Sequence, residues 1–563
     1  MWVNEPEVNE VAVTAPAVDE PVAGETLHSI LDRVAAAYPE VTAEFPSEKE
    51  SITYRDLAAS ARSMAAGLLA LGVARGEPVG ILCPNAPEFL VSLFAVSAAG
   101  GAATPLPLPL GMRHAGAYPA RLTAIAEAAG MRKILVSHRF GTLADGLTDT
   151  LPGLELISTD SLSGDGGLPE VGGGDLAIVQ FTSGSTSLPK GVRLTHDNVV
   201  SGLAAIREGI ALGRRDGGGF WLPLFHDMGL FGTLSAVLIG IPAFVWSPLS
   251  FIKDPARWLR EFLASGATIT AMPNFGYDQL AAAFTDTEAA ELDMAHWRIA
   301  FNGAEPIAAD AVRAFCDRFA PGGFTPETMF GVYGMAEATL AVCFPPLGRE
   351  PRFEHVDRDK LADGGRAVPV EPDAPGARAI AGVGAPVKGV RLRVVDPDAG
   401  GDLADGQVGE ILIQGAPVTA GYLAVDRTDE SFVDGWLRTG DLGYRRDGEV
   451  FVTGRRKEMI TVRGANYYPQ DVEAVARRTP GIYKGRCVAV AAPDGAESIL
   501  LIAETAAAGA DADALAAALR AAVSAELGLA AVTVRLVSPR AIPRTSSGKF
   551  QRLAARELVA TTP

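Results

Sequence analysis

The stretch Phe181-Thr182-Ser183-Gly184-Ser185-Thr186-Ser187-Leu188-Pro189-Lys190-Gly191 follows an apolar run from Asp175 to Phe181. The run reads as a buried strand. The segment after it is rich in hydroxyls and ends in a lysine. Backbone N–H groups of such a loop form a nest for polyphosphate, and Lys190 adds positive charge. The order Lys-Gly, rather than Gly-Lys-Ser/Thr, separates it from a Walker A loop. Outward from this point the same rhythm repeats. Ile52 to Tyr54 and Val79 to Leu82 read as strands, Tyr54 to Leu71 and Ala86 to Ala99 as helices, and a β-then-α alternation runs to about residue 345. That alternation predicts layered α/β structure with mostly parallel sheets.

The chain has 563 residues, too many for one small module, and its 48% hydrophobic content supplies several cores without disulfide or metal staples. A net charge of −18 argues against a general nucleic-acid binder, which needs a basic footprint. The four cysteines, Cys83, Cys316, Cys343 and Cys487, form no CxxC pair and are expected to be buried reduced thiols of a cytoplasmic protein. Two long uncharged runs, Phe89 to Met112 and Met228 to Ile252, are interrupted by Gly and Pro. Each is expected to be a buried helix followed by a strand rather than a membrane span.

Residues 1–22 lack clear periodicity and are expected to be a flexible tail. An amphipathic helix starts at Thr26. Around 386–452 the pattern changes to short strands, which suggests a small β subdomain. After Gly454-Arg455-Arg456-Lys457 comes a last unit with its own strands and helices. The expected organisation is a large domain over 23–453, a hinge at 454–457 and a mobile α+β domain over 458–563.

Other motifs follow the loop in order: Trp221 to Leu230 (WLPLFHDMGL), Phe301 to Pro306 (FNGAEP), Tyr333 to Thr339 (YGMAEAT), Leu437 to Gly443 (LRTGDLG), Gly454 to Lys457 (GRRK) and Pro543 to Lys549 (PRTSSGK). The ordered set resembles the adenylate-forming superfamily of acyl-CoA synthetases, peptide-synthetase adenylation domains and luciferases, over about residues 26–556. Within it the chain looks most like the fatty acyl-AMP ligases. His226-Asp227-Met228-Gly229-Leu230, Pro273-Asn274-Phe275, Trp297 to Ala300 and Arg463 to Glu473 carry that likeness. So do the 47 positions from Glu337 to Gly384, longer than in acyl-CoA synthetases. That stretch, around 357–369, resembles an insertion thought to restrain the C-terminal domain and disfavour CoA.

The resemblance implies a role for each residue. Thr182, Ser183, Gly184, Ser185, Thr186 and Lys190 would hold the ATP phosphates. Gly303, Ala304 and Glu305 would line one adenine face, with Tyr333 stacked on the other and Gly334 and Met335 in the same nucleotide site. Glu337 would ligate Mg²⁺, a hard cation suited to a carboxylate. Asp441 would accept from both ribose hydroxyls, with Arg455 beside it. Lys457 would be the hinge pivot. Lys549 would neutralise charge at the carboxylate and α-phosphate, and His226 would gate the acyl carboxylate. The implied reaction turns a hydrophobic carboxylic acid and ATP into acyl-AMP and pyrophosphate. Transfer to phosphopantetheine on an acyl carrier protein would follow. The alternative acceptor is free CoA; a catalytically silent nucleotide-binding protein is a further alternative. Arg214-Arg215 and Lys484-Gly485-Arg486 are candidate basic patches for a carrier. The chain departs from the pattern at Ser187, where a glycine is usual, and at Ala465, where the branch often has arginine.

Overall fold

The computed structural model describes residues 24–109, 117–141, 146–147, 150–151, 153–182, 190–423, 428–462, 465–493, 498–528, 532–544 and 549–560. The tail at 1–22, the phosphate-loop residues Ser183, Gly184, Ser185, Thr186 and Ser187, and the 545–548 part of the last motif lie outside them. The apolar run at the head of the phosphate loop forms strand Leu176–Thr182. It sits inside a seven-stranded sheet ordered Tyr422–Leu423, Lys190–Thr195, Leu176–Thr182, Ala102–Pro105, Pro78–Leu82, Lys133–Val136, Glu155–Ser158. Pairing is parallel from Leu176–Thr182 to Glu155–Ser158 and antiparallel on the Lys190 side. The strands that flank the phosphate-loop motif, Leu176–Thr182 and Lys190–Thr195, are therefore antiparallel neighbours near one edge.

A second seven-stranded sheet runs Met329–Gly331, Ile299–Asn302, Ile269–Met272, Gly218–Phe220, Ala243–Val245, Thr42–Phe45, Glu50–Thr53. It is parallel except for its terminal hairpin. Both uncharged runs resolve as expected. Helix Pro87–Ala98 precedes strand Ala102–Pro105, and helix Asp227–Val237 precedes strand Ala243–Val245. Phe89 to Ala98 are all buried, as are most residues of Asp227–Val237. A helix apolar on all sides belongs inside a layered core, which explains runs long enough to imitate a span. Among the described residues no helix is long and apolar enough to cross a membrane. All four cysteines are free and buried.

The short strands form an antiparallel β subdomain from Val390–Val395, Gly409–Gly415, Phe432–Val433, Trp436–Arg446 and Glu449–Arg455. The C-terminal unit has its own sheet, Cys487–Ala491, Ile499–Glu504 and Val532–Val537. Helices Pro469–Arg477 and Ala510–Leu527 bury Val472, Val475, Leu519 and Val523 in a core with Cys487, Ala489 and Leu501.

The 357–369 stretch is not an exposed loop. Strands Phe353–Asp357 and Ala377–Ala381 pair antiparallel around helix Arg358–Gly364, capped by Asp357. Val356, Leu361, Ala367 and Ile380 share a core with Tyr444 and Phe451 of the β subdomain and with Tyr468, which precedes helix Pro469–Arg477. Arg378 Nε lies 2.8 Å from Asp471 Oδ1, and its guanidinium stacks 4.1 Å from the Tyr468 ring. Arg358 Nη1 donates to Glu526 O at 3.0 Å. The insertion thus touches the C-terminal unit at two separate helices.

Candidate active site

A cleft of about 2170 Å³ separates the large unit from the C-terminal unit. Its lining includes Thr182, Lys190, His226, Ala304, Glu305, Tyr333, Gly334, Met335, Glu337, Asp441, Arg455, Lys457 and Lys549. One space therefore gathers those described candidates from positions hundreds of residues apart. Gly303 is the exception: it lies just before the lining residue Ala304, at the end of strand Ile299–Asn302.

The strand ends explain the convergence. Thr182 and Lys190 are paired in register on adjacent antiparallel strands. Lys190 Nζ lies 5.1 Å from the centre of the Tyr422 ring, a cation–π distance. Ala304 has φ +66°, a left-handed conformation unusual for a residue with a Cβ. Glu305 follows directly, and its Oε1 accepts from Phe275 N at 2.7 Å. Burial pushes the Glu305 carboxyl above its ordinary range.

Glu337 lies on a short turn, Ala336–Ala338, between the paired strands Tyr333–Gly334 and Ala341–Phe344. The turn is fixed from both sides. Thr419 N donates to Glu337 O at 2.7 Å. Thr339, at φ +63°, donates its hydroxyl to Asn198 O and Pro417 O, each at 3.1 Å. The Glu337 carboxylate accepts from Tyr422 Oη at 3.0 Å, and burial raises its pKa. Among the described residues no three His, Cys, Asp or Glu side chains cluster to hold a metal. A single carboxylate suits Mg²⁺ when substrate phosphates provide the other ligands.

Asp441 is 5% exposed and held at both oxygens. Tyr333 Oη donates to Oδ2 at 2.7 Å, and Arg455 Nε donates to Oδ1 at 3.0 Å. A carboxylate oxygen has a second lone pair, so both retain capacity for a diol. The Tyr333 hydroxyl is pushed well above its ordinary pKa by burial and by Asp441, so it remains a donor.

The His226 segment is held by amides that sequence reasoning did not single out. Asn85 Nδ2 donates to Leu222 O at 3.0 Å and Trp246 O at 2.8 Å, while its Oδ1 accepts from Leu224 N at 3.0 Å. Gln180 Nε2 donates to Phe225 O at 2.7 Å. Helix Asp227–Val237 then starts against that backbone. A Cβ at Gly229 would lie 2.4 Å from Pro223 O, so only glycine fits there. Asp227 Oδ1 lies 2.6 Å from His226 Nδ1, an ion pair when the imidazole is protonated. Burial raises the Asp227 pKa, but the charges of His226 and Lys549 outweigh it and hold the carboxyl at about 2.

Lys549 is the only site lysine brought from the C-terminal unit's last motif, and its charge interacts with Asp227, Arg455, Glu305 and Asp441. Burial lowers its pKa. Of the two suggested basic patches, Arg214 is committed elsewhere: its guanidinium stacks 3.6 Å from the Tyr38 ring and donates to Ile239 O and Gly240 O. Lys484, Gly485 and Arg486 line the cleft.

The AMP-binding enzyme family matches residues 31–423, and the AMP-binding enzyme C-terminal domain matches 464–556. The chain is 33% identical to the long-chain-fatty-acid–AMP ligase FadD32 of Mycolicibacterium smegmatis, over 93% of this chain and 91% of that protein. It is also 33% identical to the medium-chain-fatty-acid–[acyl-carrier-protein] ligase JamA of Moorena producens, over 90% of each. Among solved structures, one from a study of fatty acyl-adenylate ligases from E. coli and L. pneumophila superposes with a TM-score of 0.89. That chain is 32% identical, and the match covers 96% of this chain and 98% of that one. The chain belongs to the AMP-binding enzyme family and, within the adenylate-forming superfamily, stands close to the fatty acyl-AMP ligases. It is an ATP-using ligase of the acyl-AMP type.

Proposed function

We propose that this enzyme activates a fatty or similarly hydrophobic carboxylic acid as its acyl-adenylate, and then passes the acyl group to the phosphopantetheine thiol of an acyl carrier protein. The observation that carries the reading is the meeting of Lys549 with Asp227, Glu305, Asp441 and Arg455 in a cleft that continues into an apolar lining of Ile206, Ile210, Phe220, Ala236, Ile241 and Ile269. Those side chains suit an alkyl chain and offer no charge to pair with a substrate amine.

In this mechanism the acid carboxylate attacks the α-phosphorus of ATP in line. The bond from the α-phosphorus to the bridging oxygen breaks, and pyrophosphate leaves. Catalysis is then mostly positioning and charge neutralisation. Lys549 offsets the negative charge that gathers as two anions approach. Thr182 and Lys190, with the rest of the 182–190 loop, hold the distal phosphates. Asp441, set by Tyr333 and Arg455, takes the ribose. Ala304, Glu305 and Tyr333 frame the adenine. Glu337 would hold Mg²⁺, which when bound neutralises phosphate charge. His226 borders the carboxylate end of the acyl channel. We further propose that residues 23–453 and 458–563 move as two bodies about 454–457, with Lys457 as pivot.

Product analysis by mass spectrometry tests the reading, using Mg·ATP and a panel of fatty, polycyclic and aryl acids with and without CoA. Acyl-AMP that accumulates even with CoA present is the expected outcome. Conversion to acyl-CoA would make the enzyme a CoA synthetase. Strong exchange with amino acids alone would overturn the assignment of the acid.

A further inference from the structure

Lys549 reaches the cleft from a segment whose anchoring is itself unusual. Upstream, the buried carboxylate of Glu504 accepts from Arg540 N at 2.6 Å and from Ile542 N at 3.0 Å. Arg544 and Phe550 pair as an antiparallel bridge, and Gln551 N donates to Pro543 O at 2.9 Å. These bonds bring Pro543 and Arg544 beside Phe550 and Gln551, the residues that follow Lys549. Downstream, one side chain takes over. Arg552 Nε donates to Glu473 Oε1 at 2.7 Å and Nη2 to Glu473 Oε2 at 2.9 Å. Its remaining nitrogen, Nη1, donates to Glu458 Oε2 at 2.6 Å.

The two carboxylates belong to different parts of the chain. Glu473, 1% exposed, sits on helix Pro469–Arg477 and also accepts from Ala489 N at 3.1 Å, which ties it to the edge strand Cys487–Ala491 of the C-terminal sheet. Glu458 ends the short turn Arg456–Glu458, one residue after Lys457. Arg552 thus joins three things: the C-terminal core, the hinge turn, and the segment that carries Lys549 three residues earlier. A buried ion pair is weak evidence for net stability, since desolvation cancels much of the attraction. What a planar fork with all three nitrogens engaged does supply is geometry, and a lysine could not replace it.

We propose that Arg552, Glu473 and Glu458 form a positioning clamp that sets the reach of Lys549 into the cleft and ties that reach to the state of the hinge. The inference rests on the adenylation reading above. Glu473 secures the clamp to the fold. Glu458 is the coupling arm: it is the first residue after the 454–457 hinge, so a change in the hinge backbone reaches the guanidinium, and with it the lysine, through this carboxylate.

The test uses the full chain with Glu458→Gln, which keeps shape and removes charge, and Glu458→Asp as the conservative control. Three readouts are taken: acid-dependent pyrophosphate release with dodecanoic acid, acyl transfer from synthetic dodecanoyl-AMP to pantetheine, and labelling of Lys549 by an amine reagent, relative to the exposed Lys253. For Glu458→Gln the adenylation kcat should fall by about 10- to 100-fold, as expected for a misplacement near 1 Å, with KM for ATP and transfer each within about threefold of wild type. Lys549 labelling should rise, and Glu458→Asp should recover part of the loss. Equal falls in both half-reactions together with a lowered Tm would reduce Glu458 to a structural role and overturn the clamp, as would an unchanged kcat. If the wild type adenylates no acid at all, the functional reading fails. The labelling readout still decides the clamp, since unchanged Lys549 reactivity in Glu458→Gln refutes it without any turnover.

Discussion

Lys549 carries its ammonium in a half-buried position in the cleft, where desolvation lowers its pKa against the opposing pull of Asp227, Glu305 and Asp441. The mechanism needs the protonated form. As pH rises through the lowered value that form is lost, so adenylation should decline on the alkaline side earlier than an ordinary lysine, near 10.4, would dictate. Lys549→Ala should cut adenylation by about 100-fold or more, while ATP binding and Tm stay close to wild type. In that variant the alkaline limb of the pH–rate profile should also disappear. Wild-type-like pyrophosphate release would remove Lys549 from the mechanism. Residues of this kind were legible in the sequence because each sits in a short motif of hydroxyls, glycines and one charge. Asn85 and Gln180 were not. Each is a lone amide in an apolar stretch, and nothing in its neighbours says that its partners are Leu222, Leu224, Trp246 and Phe225, 45 to 161 positions away. Tyr422, which meets both Glu337 and Lys190, was equally silent.

At the scale of the element, the insertion is the feature whose presence could be read and whose contacts could not. Its length stood out between Glu337 and Gly384. Its docking depends on Arg378 finding Asp471 and Tyr468 across nearly a hundred residues, and on Arg358 finding Glu526. Hydrophobic periodicity reports which face of an element is buried, not which polar partner waits there. Arg378 and Asp471 side chains are only 10% and 14% exposed. Removing one partner of such a pair costs about 3 kcal/mol or more when the other stays buried. On the proposed two-body movement, undocking of the C-terminal unit would return the stranded Asp471 to water without unfolding. Arg378→Ala should therefore loosen the docking rather than melt the protein. Every 1.4 kcal/mol that appears as release multiplies the undocked population by about ten. If docking is what disfavours CoA, acyl-CoA formation by Arg378→Ala should rise several-fold, read by mass spectrometry against wild type. No change in CoA use, with the expected loss of docking seen by increased proteolysis near the hinge, would separate the contact from acceptor choice.

For the whole molecule, the layered α/β architecture and the separate C-terminal unit followed from patterns the chain displays openly. Helix Pro87–Ala98 is apolar on all sides because it lies inside layers, and the run of short strands before the hinge did mark the β subdomain. What no pattern could state is which arrangement of the two units prevails. Lys549 lines the same cleft as the residues proposed to bind the nucleotide, and on that reading the arrangement seen suits the first half-reaction. In the proposed reaction a thiol acceptor needs access to the same acyl phosphate that Lys549 would contact, and both cannot occupy that place together. On the proposed two-body movement, the two half-reactions use two arrangements, connected by a change of backbone angles between Gly454 and Lys457. Proline at Lys457 would fix φ near −65°. The short turn Arg456–Glu458 is compatible with that value, because a 3₁₀ turn uses φ of about −50° to −70°. Lys457→Pro should thus retain adenylation within a few-fold and cut transfer to a carrier or pantetheine thiol by about tenfold or more. Stopped turnover with acyl-AMP building up on the enzyme is the signature to look for. Equal loss of both steps would mean that the substitution damages the turn itself, and unimpaired transfer would move the pivot away from Lys457.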